Sequence, residues 1–294
     1  MTSLMQELRN RGISPKKSLG QHFLIDKGIA HKIVRLASLE PEDCIVEIGP
    51  GMGVLTFLML PLVKRVIAVE VDQEMAEYLR EREAGIPSLT VMCRDALHCD
   101  FQAMAHEAGK KLKVVANLPY NISTPVIFRL LENRDVLTHL TLMLQREVAQ
   151  RINAPPGGKD YGPLSIFTQL YTVPKILMKV PPQAFYPPPK VESSLVGFAV
   201  LDYPRVEIKD TDFFHAVVRA SFAQRRKTIL NSLRGAPLAL GTREEIEKVL
   251  KTVGIDPRRR AETLDLTEFK NLAEALKESM EARNPPLASG RGNS

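Results

Sequence analysis

No stretch of the 294-residue chain approaches 18 consecutive apolar residues, so no segment reads as a membrane-spanning helix. The opening residues carry Glu7, Arg9 and Arg11 with no apolar run between them, which argues against a secretory signal. Cysteine is scarce. Cys44, Cys93 and Cys99 are odd in number and lack metal-site spacing, so they read as reduced thiols and no metal is expected. Reduced thiols suit a cytoplasmic protein. No internal repeat is visible. Low complexity is confined to the tail from Asn284, rich in Pro, Gly and Ser, which is expected to be disordered.

What is present is ordinary for a globular protein: 44% hydrophobic and 25% charged residues. The length suits one large or two modest domains, with a core that needs no staples. Net charge is +6 and unevenly spread. From Arg205 onward 17 basic residues stand against 13 acidic ones. That balance is compatible with a polyanionic partner.

The chain is organised around Ile45-Val46-Glu47-Ile48-Gly49-Pro50-Gly51-Met52-Gly53. It reads as a buried strand of a parallel sheet, then a glycine turn, then a helix from Val54. Glycines let the backbone turn tightly and approach a ligand. A dinucleotide turn wants G-x-G-x-x-G, but counted from Gly49 its last glycine would fall on Val54. The pattern is E-x-G-x-G-x-G instead. It resembles the first motif of class I S-adenosylmethionine (SAM) methyltransferases. Glu47 suits the cationic amino end of such a ligand, through water or a neighbouring amide.

The next apolar run, Arg65 to Asp72, ends in acid. A carboxylate about 20 residues past the turn suits two vicinal ribose hydroxyls. Glu70 fits, with Asp72 as runner-up or helix N-cap. A third strand, Leu89–Cys93, leads to Asp95 and Ala96. Asp95 is placed to accept from the exocyclic amine of an adenine, to cap the next turn, or both.

The fourth strand, from Leu112, runs into Asn117-Leu118-Pro119-Tyr120. This looks like the catalytic motif of methyltransferases acting on exocyclic amino nitrogens. The N6 lone pair of adenine is delocalised into the ring and attacks poorly. The Asn117 amide oxygen and the Leu118 carbonyl can accept hydrogen bonds from the amine and favour a tetrahedral nitrogen. Pro119 fixes the backbone. Tyr120 offers a face for the base, worth about 1–3 kcal/mol.

Around this core, residues 1–20 read as a flexible basic arm. Asp26 is expected to cap a helix from Lys27 to about Leu39. By spacing alone His22 is a surface histidine. Helices are expected over Pro125–Leu131, Glu147–Ile152 and Leu164–Tyr171, and a fifth strand over Leu137–Leu144. Val173–Val180 and Ser194–Leu201 read as a hairpin at an antiparallel edge. Between them the proline-rich loop holds Phe185, chosen as a second stacking plate opposite Tyr120, with Tyr186 as fallback. The boundaries drawn are 21–203 for the cofactor domain, 204–283 for a small helical domain and 284–294 for the tail. The helices expected in the second domain are Asp212–Phe222, Arg225–Leu233, Arg243–Val253 and Thr267–Arg283. Its triplets Arg225-Arg226-Lys227 and Arg258-Arg259-Arg260 are candidates for RNA phosphate contact.

Taken together, the residues resemble the ribosomal RNA adenine dimethyltransferases of the KsgA/Dim family. The resemblance runs from Gly20 to about Leu276. It rests on Gly20-Gln21-His22-Phe23-Leu24, the Glu47–Gly53 turn, Glu70, Asp95, Asn117–Tyr120, Phe185-x-Pro-x-Pro-x-Val-x-Ser193 and Phe222-x-x-Arg225-Arg226-Lys227. It implies a Rossmann-like α/β domain with a mostly parallel sheet and a small all-α C-terminal domain. It implies SAM held by Gln21, His22, Leu24, Glu47, Gly49, Gly51, Gly53, Glu70, Asp95, Ala96 and Asn117, and so revises the bland reading of His22. It further implies transfer of two methyl groups to N6 of each of two adjacent adenosines, in the 3′-terminal hairpin loop of 16S rRNA, within an assembling 30S subunit. A monomer is expected. The rivals are an Erm-like 23S rRNA enzyme, a DNA adenine methyltransferase and a non-catalytic assembly or transcription factor with the same fold.

Overall fold

The computed structural model describes residues 6 and 10–283. The expected disordered tail from Asn284, and most of the first nine residues, lie outside them. The described chain divides into two units. One comprises residues up to Asn153 with Tyr171–Asp202; the other comprises Ala154–Leu170 and the residues from Tyr203.

The first unit is built on β-branched runs. After a short strand β1 (Phe23–Leu24) come β2 (Cys44–Ile48), β3 (Arg65–Glu70), β4 (Leu89–Cys93), β5 (Leu112–Asn117) and β6 (Leu137–Gln145). Every residue of β2 is buried, as a central parallel strand covered on both faces requires. Strands β7 (Thr172–Val180), β8 (Phe185–Tyr186) and β9 (Ser193–Val200) follow. Seven strands form one sheet in the order β4-β3-β2-β5-β6-β9-β7. Strands β2 to β6 pair in parallel, and β9 runs antiparallel between β6 and β7. This is the mostly parallel α/β sheet with an antiparallel edge that the sequence implies. The strand order reverses between β2 and β5, which is where open α/β sheets bind ligands.

The helix after β1 runs over Lys27–Leu36, with the Asp26 side chain accepting from Ile29 N as its cap. Such a cap contributes about 1 kcal/mol. The helix after the glycine turn is shorter than its apolar pattern suggests. It spans Thr56–Met59 and tightens into a 3₁₀ turn at Leu60–Leu62, where Pro61 cannot donate to the ladder. A helix at Phe101–Ala108, capped by Asp100, had no clear periodicity to announce it.

Residues 11–20, read as part of a flexible arm, are pinned. Lys16 pairs with Asp72 at 2.6 Å and with Glu74 at 2.8 Å. Arg11 pairs with Glu81 at 2.9 Å and lies over the Tyr78 ring. Acidic groups at both ends of the Gln73–Glu83 helix draw in a segment whose own sequence shows only basic charge.

The second unit carries helices at Thr211–Phe222, Ile229–Arg234, Arg243–Thr252 and Leu266–Arg283. Residues 154–170 group here, although periodicity alone counted them with the cofactor domain. The reason is packing: Phe167 meets His215 at 4.4 Å and Phe214 at 6.4 Å. The helix expected from Arg225 starts instead at Ile229, because Thr228 caps it. Arg225, Arg226 and Lys227 therefore lie in the preceding turn. No described helix is long and apolar enough to cross a membrane.

Candidate active site

A cleft opens at the carboxyl ends of β2, β3 and β5. Its walls include Gly20–Leu24, Glu47, Gly49–Met52, Glu70 and Asn117–Tyr120.

The turn after β2 has positive φ at Gly49, Gly51 and Gly53 (69°, 53° and 76°). At Gly51 a Cβ would lie 3.0 Å from the Phe23 ring on a left-handed backbone, so any other residue would be strained there. At Gly49 an added Cβ would reach toward Asn117 O (3.6 Å) and Pro119 Cδ (3.8 Å). It would intrude on the gap between the turn and the Asn-Leu-Pro-Tyr segment, which is the space a ligand in close contact with backbone needs.

Two buried carboxylates face this cleft. Glu70 Oε2 accepts from Gly51 N and Oε1 from Asp72 N, each at 3.0 Å. The side chain thus shapes the glycine turn while its remaining lone pairs stay available to hydroxyl donors. Burial pushes Glu70 up, opposed by those amides. Glu47 accepts from Thr56 Oγ1. Burial pushes its carboxyl up to about 8, against the Thr56 bond. The folded chain therefore holds a proton on Glu47 at pH values where the unfolded chain does not. Stability should fall as pH rises from about 4.5 toward 8. Glu47→Gln should flatten that slope in part, by on the order of a few kcal/mol near pH 8, with Glu70 keeping the remainder. Urea unfolding at pH 5, 7 and 8.5 checks this; an unchanged slope would contradict it.

Residues Gly20 to Leu24 close one side. Gln21 Nε2 donates to Asp72 Oδ2 at 2.7 Å, and its Oε1 accepts from Lys16 N at 2.8 Å. Asp72 also caps the following helix through Glu74 N, so the runner-up acid is structural. Burial opposes its charge, but Lys16 and Gln21 hold it below the usual carboxylate range. His22 Nδ1 lies 2.6 Å from Pro187 O. A carbonyl only accepts, so the proton sits on Nδ1. The His22 ring stacks on Tyr120 with centroids 5.3 Å apart. Leu24 is buried and pairs with Phe185 across β1 and β8.

Asn117 ends β5. Its Nδ2 donates to His22 O at 2.9 Å. That bond orients the amide and leaves Oδ1 without a partner among the described residues. Leu118 is buried, and its carbonyl accepts no hydrogen bond from the described residues. Tyr120 is half-buried, and its hydroxyl bonds Ser193 Oγ. Burial pushes the phenol up, opposed by Ser193.

Other expected site residues lie elsewhere. Asp95 and Ala96 follow β4, beside Glu70, but outside the cleft lining. Asp95 Oδ1 caps Leu97 N at 2.9 Å, and Oδ2 is 3.4 Å from His98 Nδ1. Phe185 is 2% exposed within the apolar core, so it is not a free plate opposite Tyr120. Alternation along a strand explains this: Phe185 turns inward and Tyr186 is less buried. In the second unit Arg259 is bound by Glu268 and Thr263, and Arg258 by Asp256, so neither is an uncommitted phosphate ligand. Arg260 lies 3.9 Å from Glu262. Arg225 donates to Lys159 O, while Arg226 and Lys227 are exposed with no ion pair among the described residues. Sequence reasoning missed Ser193 as a partner of Tyr120, and the apolar liners Met52 and Val71. Val71 had a signal, since it directly follows the acid. Among the described residues no group of His, Cys, Asp or Glu is placed to hold a metal.

Known proteins resemble this chain over most of its length. The family model described as ribosomal RNA adenine dimethylase matches residues 12–278. The chain is 46% identical over 277 residues to ribosomal RNA small subunit methyltransferase A of Pelotomaculum thermopropionicum, covering 92% of this chain and 94% of that protein. It is 43% identical to the protein of the same name from Geobacter metallireducens, over 92% and 98% of the two chains. Among solved structures, a dimethyladenosine transferase from Plasmodium falciparum superposes with TM-score 0.72 at 28% identity, covering 88% and 98%. The 23S rRNA methyltransferase ErmE gives TM-score 0.63 at 25% identity, covering 87% and 99%.

Proposed function

The chain belongs to the ribosomal RNA adenine dimethylase family, and on that premise we propose how its cleft performs N6,N6-dimethylation of adenosine in small-subunit rRNA. SAM is the methyl donor, and when bound it supplies an electrophilic sulfonium methyl group. The glycine turn fits such a ligand because Gly49 leaves the gap a Cβ would fill. Glu70 is the candidate for its ribose hydroxyls and Glu47 for its cationic end. The outer oxygen of Asp95 is the candidate for its adenine amine. Gln21 acts through Asp72, holding the Gly20–Leu24 wall in place.

The observation that carries the reading is the pair of uncommitted acceptors, Asn117 Oδ1 and the Leu118 carbonyl, at the cleft beside Tyr120. They accept from the target amine and turn its lone pair out of conjugation. Pro119 keeps the carbonyl pointed, and Tyr120 carries the base. No general base is required before transfer, because the amine proton becomes acidic only once the nitrogen is cationic. Positioning supplies most of the rate.

The finer substrate is two adjacent adenosines in the 3′-terminal hairpin loop of 16S rRNA, met in an assembling 30S subunit by a monomeric, cytoplasmic enzyme. The Erm-like reading is the less favoured, since the curated relatives at 43–46% identity carry the small-subunit name. The test is methyl transfer from labelled SAM to unmethylated 30S subunits, with 50S subunits and duplex DNA alongside, read by nucleoside mass spectrometry. Dimethyladenosine confined to the 30S sample is expected. Label in 50S RNA would move the protein to the Erm-like activity, and label nowhere would favour a non-catalytic role.

The turn holding Arg226 and Lys227 is the proposed phosphate-binding element of the second unit. Neutralising Arg225, Arg226 and Lys227 together should reduce the salt slope of RNA binding by about 0.7–0.9 for each phosphate that is no longer neutralised. An unchanged slope would remove this turn from the interface.

A further inference from the structure

One buried hydroxyl outside the assigned residues touches the proposed base plate. Ser193 is 0% exposed and occupies the first position of β9. Its backbone is fixed on both sides, in register with Gln145 of β6 and Val180 of β7. Tyr120, by contrast, sits in the turn after β5. Its carbonyl is held by Ser123 Oγ at 3.2 Å and one ring face is covered by His22. Ser193 alone among the described residues bonds its hydroxyl. That bond ties the far edge of a turn-borne ring to a strand that is paired on both sides.

We infer that Ser193 is a positioning residue, acting through Tyr120, whose effect falls mainly on the second of the two methyl transfers. The inference rests on the reading of Tyr120 as base plate. Each transfer breaks the bond between sulfur and methyl carbon, forms a nitrogen–carbon bond and releases one proton, consuming one SAM. In the first, the amine offers two N–H groups to Asn117 Oδ1 and the Leu118 carbonyl. In the second, one of those hydrogens has left as a proton and a methyl group stands in its place, so one acceptor loses its donor. Placement of the nitrogen then depends more heavily on the stacked ring. A ring free to tilt, with its hydroxyl unanchored, penalises the second transfer more than the first.

The experiment compares Ser193→Ala, Ser193→Thr, Tyr120→Phe and the double variant S193A/Y120F, with Tyr120→Ala as control. Each is assayed on unmethylated 30S subunits, with mono- and dimethyladenosine quantified over time and SAM affinity and unfolding temperature measured alongside. Ser193→Ala should raise the monomethyl-to-dimethyl ratio about tenfold, the scale of one missing hydrogen bond, with SAM affinity unchanged. Tyr120→Phe should match it, and the double variant should be no worse than either single one. Ser193→Thr, which keeps the hydroxyl, should restore the ratio. A wild-type ratio in Ser193→Ala would overturn the inference. So would equal slowing of both transfers tracking a lowered unfolding temperature, or full additivity in the double variant. Full dimethylation by Tyr120→Ala would instead overturn the base-plate reading itself.

Discussion

Asn117→Ala is expected to lose methyl transfer by a factor of about 100 to 1000, the scale on which removing one preorganised polar partner acts elsewhere. The argument is local. Asn117 is the last residue of β5, and its amide is oriented by the bond from Nδ2 to His22 O. Its Oδ1, without a partner among the described residues, is therefore placed before any substrate arrives. Alanine removes that acceptor and leaves the Leu118 carbonyl as the remaining one. SAM binding should change by no more than about tenfold, since the glycine turn and both buried carboxylates are untouched and a single hydrogen bond to the ligand is worth about that. Turnover on 30S subunits and calorimetric SAM titration measure the two quantities separately. A variant that stays active would sink the proposed role. Loss of both properties together would instead mean that Asn117 mainly holds the Gly20–Leu24 wall.

The second large effect falls on the cofactor. Glu70→Ala should weaken SAM binding about a hundredfold or more. One part is the loss of acceptors for hydroxyl donors. The other part is internal, because Gly51 N and Asp72 N each lose their partner in a buried setting. An orphaned buried donor costs about 1–3 kcal/mol. The glycine turn should then relax from the shape that meets the ligand. Glu70→Gln discriminates between the two parts. Its single carbonyl oxygen can serve one backbone amide, while its NH₂ group opposes the other. If shape dominates, Glu70→Gln will bind nearly as poorly as alanine. If direct bonding to the ligand dominates, it will recover roughly half of the missing binding free energy. Unchanged affinity in both variants would remove Glu70 from the cofactor site.

Much of this site is legible in the chain because its chemistry sits on regular elements. Ile45–Ile48, Val66–Val69 and Val114–Ala116 announce parallel strands by apolar content alone, and the residues directly after them line the cleft. Glu70 and Asn117 could be placed because a strand delivers its terminal residue to one edge of the sheet, and Glu47 because it lies one residue before the end of its strand. What the sequence hides is anything decided by a partner far along the chain. Phe185 reads as an exposed plate because the proline-rich loop suggests a rigid extended run. Its true neighbour is Leu24, on a two-residue strand too short to leave a pattern. The triplet Arg258-Arg259-Arg260 reads as a phosphate ligand, but Glu268 at the start of the last helix neutralises its central member. Lys16 reads as mobile until Asp72 and Glu74 meet it. Periodicity is a local signal, and these ion pairs are not local.

The pairing of β1 with β8 bears on how the protein is made. The cleft wall that carries His22 is fastened to Pro187, 165 positions later. A chain growing from its amino end has already delivered the glycine turn, Glu70 and Asn117 when that wall is held only by its bonds to Asp72 and Asn117 and by Tyr120. The cofactor cleft is thus completed only after residues 185–187 emerge and fold back. Closing so long a loop costs conformational entropy before any pairing offsets it. Nascent chains released before that point would hold most of the cofactor's binding groups with the Gly20–Leu24 wall only partly fastened, so firm capture of SAM is expected late in synthesis.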